Sequence, residues 1–381
     1  MMRNYFYITQ TCILFVLLGN VLFAQSDNFS YQMILESKLE YNNINQNSKL
    51  NADNRMNINN LNSISQLYPV FSFKNEVKNT STLLQVEGNI KNFNFERDST
   101  LFAMQELYGQ ISFNYKHYIT IGKKRLDWGS GVIWNPTNFF VQKDPMRTQN
   151  RLEGIFMFNY TSILRNGEIN LYVFPDNDIN DFKVAVKYNY SGSRMDASLS
   201  FLEYKKYQQF GMDVSYGGDF FTAYTEGVVK NFTKSYGIDN HGQLVTPEER
   251  NRQFYPEWVL GTSVIVNPKL TLNVEYRHRG DQLSHPEIDI YHTYLPSNRL
   301  LYDPISIGKH TFFGSLAYAD LYGRWSVNLR NFYDPVSDQL VVSPLGIITK
   351  HNFQAEFSVM IYNKSFSIFN FQTQLLVSYS F

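Results

Sequence analysis

Apolar and polar residues alternate with a period of two along most of residues 29–381, and stretches with helical periodicity are scarce. Leu270, Leu272, Val274 and Tyr276 share one face of an extended segment, while Thr271, Asn273, Glu275 and Arg277 share the other. The same division separates Phe182, Val184, Val186 and Tyr188 from Lys183, Ala185, Lys187 and Asn189. It recurs where Phe353, Ala355, Phe357 and Val359 oppose Gln354, Glu356 and Ser358. This pattern predicts strands at 29–41, 67–78, 81–93, 102–114, 117–126 and 151–161. The series continues at 167–175, 181–190, 194–204, 207–216, 219–231 and 255–266. It closes with 269–279, 309–319, 323–333, 339–349, 352–362 and 368–381. That makes about 18 strands, with 16 the alternative count, each near the roughly nine to eleven residues a tilted membrane strand requires.

The connections sort by length. Asn42–Gln66, Leu126–Asn150, Phe232–Phe254 and Gly280–Gly308 are long and follow the first, fifth, eleventh and thirteenth strands, all odd. Asn79-Thr80, Tyr115-Lys116, Ser162–Asn166, Ser191–Ser193, Gly217-Gly218, Asn267-Pro268 and Asp320–Tyr322 are short and follow even strands. Long loops at one end and tight turns at the other describe a transmembrane antiparallel up-and-down β-barrel. A soluble barrel has no reason to sort its loops by parity. An even strand count places both termini at the end with the tight turns.

A charge facing lipid costs about 2–4 kcal/mol near the bilayer midplane, so the polar set must face inward. A barrel of this size encloses more space than side chains fill, and a hydrated lumen is expected. In this register the lumen receives Lys74, Lys78, Lys91, Lys183, Lys187, Arg194, Arg277 and Arg330 against Glu76, Glu87, Asp196, Glu275 and Glu356. Two readings stand: a mixed-charge wall that keeps water inside, or a mild basic excess that favours anions.

Composition adds to the picture. Tyr (27) and Phe (31) are abundant although mean hydropathy is −0.32, as when only alternate residues face lipid and aromatic girdles mark both interfaces. Lys plus Arg and Asp plus Glu both number 34, so charge gives no sign of a nucleic-acid partner. Residues 1–24 combine Arg3 with an apolar run from Cys12 to Phe23, broken by Gly19 and Asn20. With cleavage at Ala24-Gln25 this is a signal peptide, and 25–381 is the mature barrel. Cys12 is the sole cysteine, which removes disulfides and thiolate chemistry from the mature chain. No other segment approaches the ~18 consecutive apolar residues of a membrane helix.

The final strand puts Phe371, Thr373, Leu375, Val377, Tyr379 and Phe381 on one face, with Gln372, Gln374, Ser378 and Ser380 on the other. It resembles the closing strand of bacterial outer-membrane β-barrels. That resemblance implies that Tyr379 and the terminal Phe381 belong to a signal read by the outer-membrane assembly machinery. The densest motif runs from Arg125 through Asp127, Trp128, Gly129, Gly131, Trp134, Asn135 and Pro136 to Phe139 and Phe140. With the preceding Ile121-Gly122-Lys123-Lys124 it resembles the strand, Arg, Trp-Gly, Asn-Pro pattern of porin-like and alginate-export-type outer-membrane barrels. The heavy Asn, Ile, Tyr and Phe usage resembles low-GC Gram-negative proteomes such as those of the Bacteroidota. Glycines and Asn135-Pro136 permit sharp bends, and two Trp and two Phe are too apolar for a solvated loop. They fold inward across the lumen or pack on the barrel rim, and the loop has either of two roles. It is a constriction touching solute through Arg125, Asp127, Trp128, Trp134 and Asn135, or a self-packed staple on the wall.

The remaining motifs are weaker. Asp98, Asp144, Asp176, Asp178 and Asp181 lie in or beside expected outer loops but lack the spacing and glycine of a calcium loop. Arg279-Gly280-Asp281 reads as a turn with a local ion pair, and His278, His285, His292 and His310 lack metal-ligand spacing. No nucleophile elbow, P-loop or zinc-protease motif is present, so no catalytic residue, metal or cofactor is assigned. The expectation is an outer-membrane porin-like channel for passive diffusion of small hydrophilic, including anionic, solutes, with homotrimers expected by analogy of fold. The alternative is a non-conducting barrel that binds surface polysaccharide or serves an export or motility complex.

Overall fold

The computed structural model describes residues 29–48, 58–77, 80–93, 101–140, 153–175, 182–251, 253–294, 308–320, 322–363, 367 and 369–381. Residues 1–24, expected to be a signal peptide, and Lys78, Asp98, Asp144, Asp176, Asp178 and Asp181 lie outside them. The chain forms β1 (Phe29–Ile44), β2 (Leu61–Val77), β3 (Thr80–Phe93), β4 (Leu101–Phe113), β5 (His117–Lys124), β6 (Ile155–Leu164) and β7 (Gly167–Pro175). There follow β8 (Phe182–Ser191), β9 (Met195–Tyr204), β10 (Tyr207–Gly217), β11 (Phe221–Lys230), and a small hairpin of β12 (Gly237–Ile238) and β13 (Leu244–Val245). Next come α1 (Pro247–Arg250), β14 (Tyr255–Asn267), β15 (Leu270–Arg279) and α2 (His285–Tyr294). The last strands are β16 (His310–Ala319), β17 (Trp325–Asp334), β18 (Gln339–Lys350), β19 (Phe353–Tyr362) and β20 (Phe369–Ser380).

All strands except β12 and β13 join one 18-stranded antiparallel sheet. It closes where β1 pairs with β20, through Leu39 opposite Leu375 and Ile34 opposite Ser380. Closure satisfies every strand edge, which is what lets a sheet stand in lipid. Leu35, Leu39, Phe73, Leu84, Leu199 and Phe357 are exposed on the outer surface. Their neighbours Glu36, Glu87, Ser198, Ser200, Glu356 and Ser358 are buried on the inner one. Tyr216, Phe221, Tyr318, Tyr322, Trp325, Tyr379 and Phe381 cluster at the tight-turn end, the position of an aromatic girdle.

Several boundaries differ from the sequence expectation; β6, expected at 151–161, runs from Ile155 to Leu164. The first hairpin is longer, for β1 and β2 stay paired out to Tyr41 opposite Leu61. Past the bilayer neither face meets lipid, so Asn42, Asn43, Asn62 and Ser63 carry no apolar signal although the backbone ladder continues. The fifth strand stops at Lys124 rather than 126, because the Arg125 backbone N–H donates to Glu106 Oε1 at 2.9 Å instead of to a strand.

The long connections pack on one another at the opposite end. Leu283, Ile288 and Tyr291, around and within α2, form a buried cluster with Ile58, Tyr236, Ile238, Leu244 and Val336 from three other connections. Beneath it Lys230 meets Glu257 at 2.8 Å, Arg277 meets Glu257 at 2.5 Å and Arg279 meets Asp281 at 3.1 Å. Thr233 Oγ1 donates to Asp281 at 2.7 Å, tying the 231–254 connection to the turn that leads into α2. Burial pushes the Asp281 carboxyl up, but Arg279 and Lys230 outweigh it and hold it at about 2, below its usual 3.8. A depressed carboxyl stabilises the folded form above the unfolded value and loses that contribution as pH falls through the folded one. Pepsin cleavage within 280–294 is therefore expected to stay slow above pH 3.8 and to accelerate as pH drops to about 2. Asp281→Asn should abolish this pH dependence.

Candidate functional site: a loop folded into the lumen

After β5 the chain turns into the barrel, and the residues that make it turn are legible one by one. Arg125 makes a bidentate pair with Glu87 on β3, at 2.6 and 2.8 Å, and lies 3.5 Å from Glu106 on β4. Gly129 has φ +95°, and a Cβ there would stand 2.5 Å from both carboxylate oxygens of Glu226. At Gly131 a Cβ would sit 1.9 Å from the Trp134 carbonyl oxygen. Only glycine permits both approaches.

Two inward carboxylates then hold the loop by its backbone. Glu226 on β11 accepts from Ser130 N at 3.0 Å, Gly131 N at 3.2 Å, Thr137 N at 2.7 Å and Thr137 Oγ1 at 2.6 Å. Glu275 on β15 accepts from Val132 N at 2.5 Å, Ile133 N at 3.1 Å, Trp134 N at 3.3 Å and the Tyr224 hydroxyl at 2.5 Å. Both carboxylates are 0% exposed. A loop inside a barrel has amides that neither strand nor bulk water serves, and charge-assisted bonds to carboxylates meet that need.

Two aromatic anchors complete the seating. Trp134 packs with Tyr224, Val259, Phe313, Phe332, Val341, Met360 and Tyr362. Its ring centroid lies 6.3 Å from Phe313 and 6.4 Å from Phe332, and the Arg277 guanidinium lies 5.7 Å from it. Trp128 contacts Phe139, Phe140 and Tyr172 at 5.2–5.3 Å, edge-on or tilted. The Lys187 ammonium sits 5.1 Å above the same indole. Gln209 on β10 donates to the Pro136 carbonyl at 3.2 Å.

The sequence-selected residues separate into groups. Glu87, Arg125, Trp128, Trp134, Lys187, Glu275 and Arg277 converge on this loop. Asn135 lies within it, its side-chain nitrogen close to Gly129, while Asp127 is exposed at its start. Lys183 stands over the Tyr204 ring at 4.7 Å and Lys91 over Phe93 at 4.7 Å. Arg330 donates to Ser343 at 3.1 Å, and Glu356 accepts from Gln354 at 2.7 Å. Lys74 pairs with Glu76 at 2.6 Å and Arg194 with Asp219 at 3.5 Å, both at the tight-turn end. Tyr379 and Phe381 stack edge-on at 4.7 Å on the outer surface, and the Phe381 N–H donates to Met33. His278 and His310 are neighbours on β15 and β16 with rings 5.1 Å apart, and the Tyr276 hydroxyl lies 2.6 Å from His310 Nδ1.

Sequence reading missed Glu226, Tyr224 and Thr137. The signal was present: Tyr224, Glu226, Val228 and Lys230 alternate on the inward face of β11, and the 129–131 stretch of Gly-Ser-Gly is rich in free amides.

No protein-family model and no curated protein matches the chain. Solved structures do. Acinetobacter baumannii OccAB1 superposes with a TM-score of 0.64 at 9% identity, covering 93% of this chain and 96% of that one. Pseudomonas aeruginosa OpdK, solved with vanillate, gives 0.61 at 9% identity, covering 94% and 100%. Pseudomonas aeruginosa OprD gives 0.58 at 8% identity, covering 93% and 95%. The fold is that of the OprD/Occ outer-membrane porins. At such identities the likeness concerns the path of the backbone.

Proposed function

We propose that this chain is an outer-membrane channel through which small hydrophilic solutes diffuse passively. The observation that carries this reading is the inward loop. A barrel serving only as an anchor has no use for a segment seated inside its lumen by two buried carboxylates and two indoles, whereas a channel needs a fixed constriction. The porin fold of the solved neighbours supports it. Size and field at the constriction do the sorting, with no chemistry. Residues 1–24 would direct export, Tyr379 and Phe381 would engage the assembly machinery, and the 125–140 motif keeps the alginate-export-type resemblance in view. Homotrimerisation belongs to the same proposal.

Purified protein in a planar bilayer is expected to give discrete open steps. Their absence would favour the interaction reading, in which the outer loops bind surface polysaccharide or a partner complex. OpdK was solved with vanillate, a carboxylate; an anionic preference in this chain would have to rest mainly on Lys183, since Lys187, Arg277 and Arg330 are all buried. Lys183→Glu is expected to shift the reversal potential in a salt gradient toward cations. An unchanged potential would place Lys183 outside the ion path.

A further inference from the structure

The hydrogen bonds and ring contacts that seat residues 128–140 run to β7, β8, β10, β11, β15, β16 and β17. They lay Trp128 over Lys187 and Trp134 beside Arg277, and each of these cations is 8% exposed. The loop thus covers much of the basic side of the lumen. The neighbouring arc, β20 through β1 and β2 to β3, is built differently. Four half-buried glutamines line its inner face: Gln66, Gln85, Gln372 and Gln374.

These amides are oriented by the wall but not used up by it. Gln372 donates to Asn42 at 2.8 Å and accepts from the Tyr362 hydroxyl at 2.6 Å. Gln374 donates to Glu40 at 3.2 Å. Gln66 accepts from Tyr68 at 2.9 Å and Asn89 at 3.2 Å, and Gln85 accepts from Ser72 at 2.6 Å. A primary amide has two N–H donors and two acceptor lone pairs, so each glutamine keeps capacity beyond these bonds. Two carboxylates of this arc are matched by cations, Glu40 by Lys38 at 2.7 Å and Glu87 by Arg125 at 2.6 Å, and a third, Glu36 opposite Gln66, is buried in the wall. The accessible part of the arc is therefore rich in donors and acceptors, with its charge largely paired.

Resting on the channel reading, we infer that the solute path follows this arc and that its glutamine row selects neutral, hydroxyl-rich solutes of sugar type. A hydroxyl both donates and accepts, as an amide does, so such a solute can exchange its water for the row without leaving either partner unsatisfied. A carboxylate offers only acceptors, and it finds Lys38 and Arg125 already paired with Glu40 and Glu87.

The test uses saturation-transfer NMR on the detergent-solubilised full-length barrel, with glucose and gluconate as probes of equal carbon number. Saturable transfer to glucose is expected, with gluconate weaker. Loss of two hydrogen bonds should weaken glucose about tenfold in Gln372→Leu/Gln374→Leu, and Gln85→Leu, on a different strand, should weaken it less. Equal signals in the wild type and either folded variant set, no glucose signal, or tighter gluconate contact would each overturn the inference. Open steps in a bilayer without glucose contact overturn the sugar row and leave the channel. Glucose contact without open steps overturns the channel and leaves the row as a binding surface.

Discussion

Replacing Glu226 with alanine is expected to release residues 128–140 from the wall and to turn a steady channel into a larger, noisy one. Four bonds end on this carboxylate, three from backbone amides and one from the Thr137 hydroxyl. Hydrogen bonds to a charged group contribute roughly 1.5–3 kcal/mol each and do not add fully, and each buried donor left without an acceptor costs about 1–3 kcal/mol. A loop seating weakened by that amount leaves the lumen for a measurable fraction of the time. Glu226→Gln should be intermediate, because its oxygen still accepts while its NH2 faces donors. Single-channel recordings check the order wild type, Gln, Ala in conductance and open-state noise. A quiet channel of unchanged conductance in Glu226→Ala would show that the carboxylate does not hold the constriction. The sheet itself should persist, since its ladder uses the backbone of Glu226 and not its side chain.

The second large effect belongs to Trp134. Truncation to alanine empties the centre of a cluster drawn from β11, β14, β16, β17, β18 and β19, and such losses cost about 3–5 kcal/mol. The Arg277 guanidinium also loses its aromatic neighbour while keeping Glu257. Trp128 sits in a separate cluster with Leu126, Met157, Tyr172, Phe174, Ala185 and Leu202. Sites that share no partner add their effects within roughly half a kcal/mol. Limited proteolysis of the loop in Trp134→Ala, Trp128→Ala and the double variant is expected to give additive free energies of opening. Strong coupling would mean that the loop moves as one rigid piece.

Strand number, strand direction and the sorting of loops by length were all readable from residues alone. The reason is local: in a closed sheet between lipid and water each residue's face is fixed by its parity, so the alternation of Leu272, Val274 and Leu316 with Asn273, Glu275 and Ser315 records the structure directly. Outside the bilayer that record stops, and the outer part of the first hairpin and helix α2 passed unnoticed because no face of them meets lipid and what they pack against comes from distant connections. The sequence also placed Glu275 and Lys187 on the inner wall, and it left the 125–140 motif either across the lumen or on the barrel rim. Only the tertiary structure decided what they face there. Glu226 and Glu275 are far along the chain from the amides they bind, and nothing in a period-two pattern says which inward side chain meets solvent and which is covered by a loop. Parity is a property of one strand, whereas the identity of a partner across a lumen depends on closure of the whole cylinder.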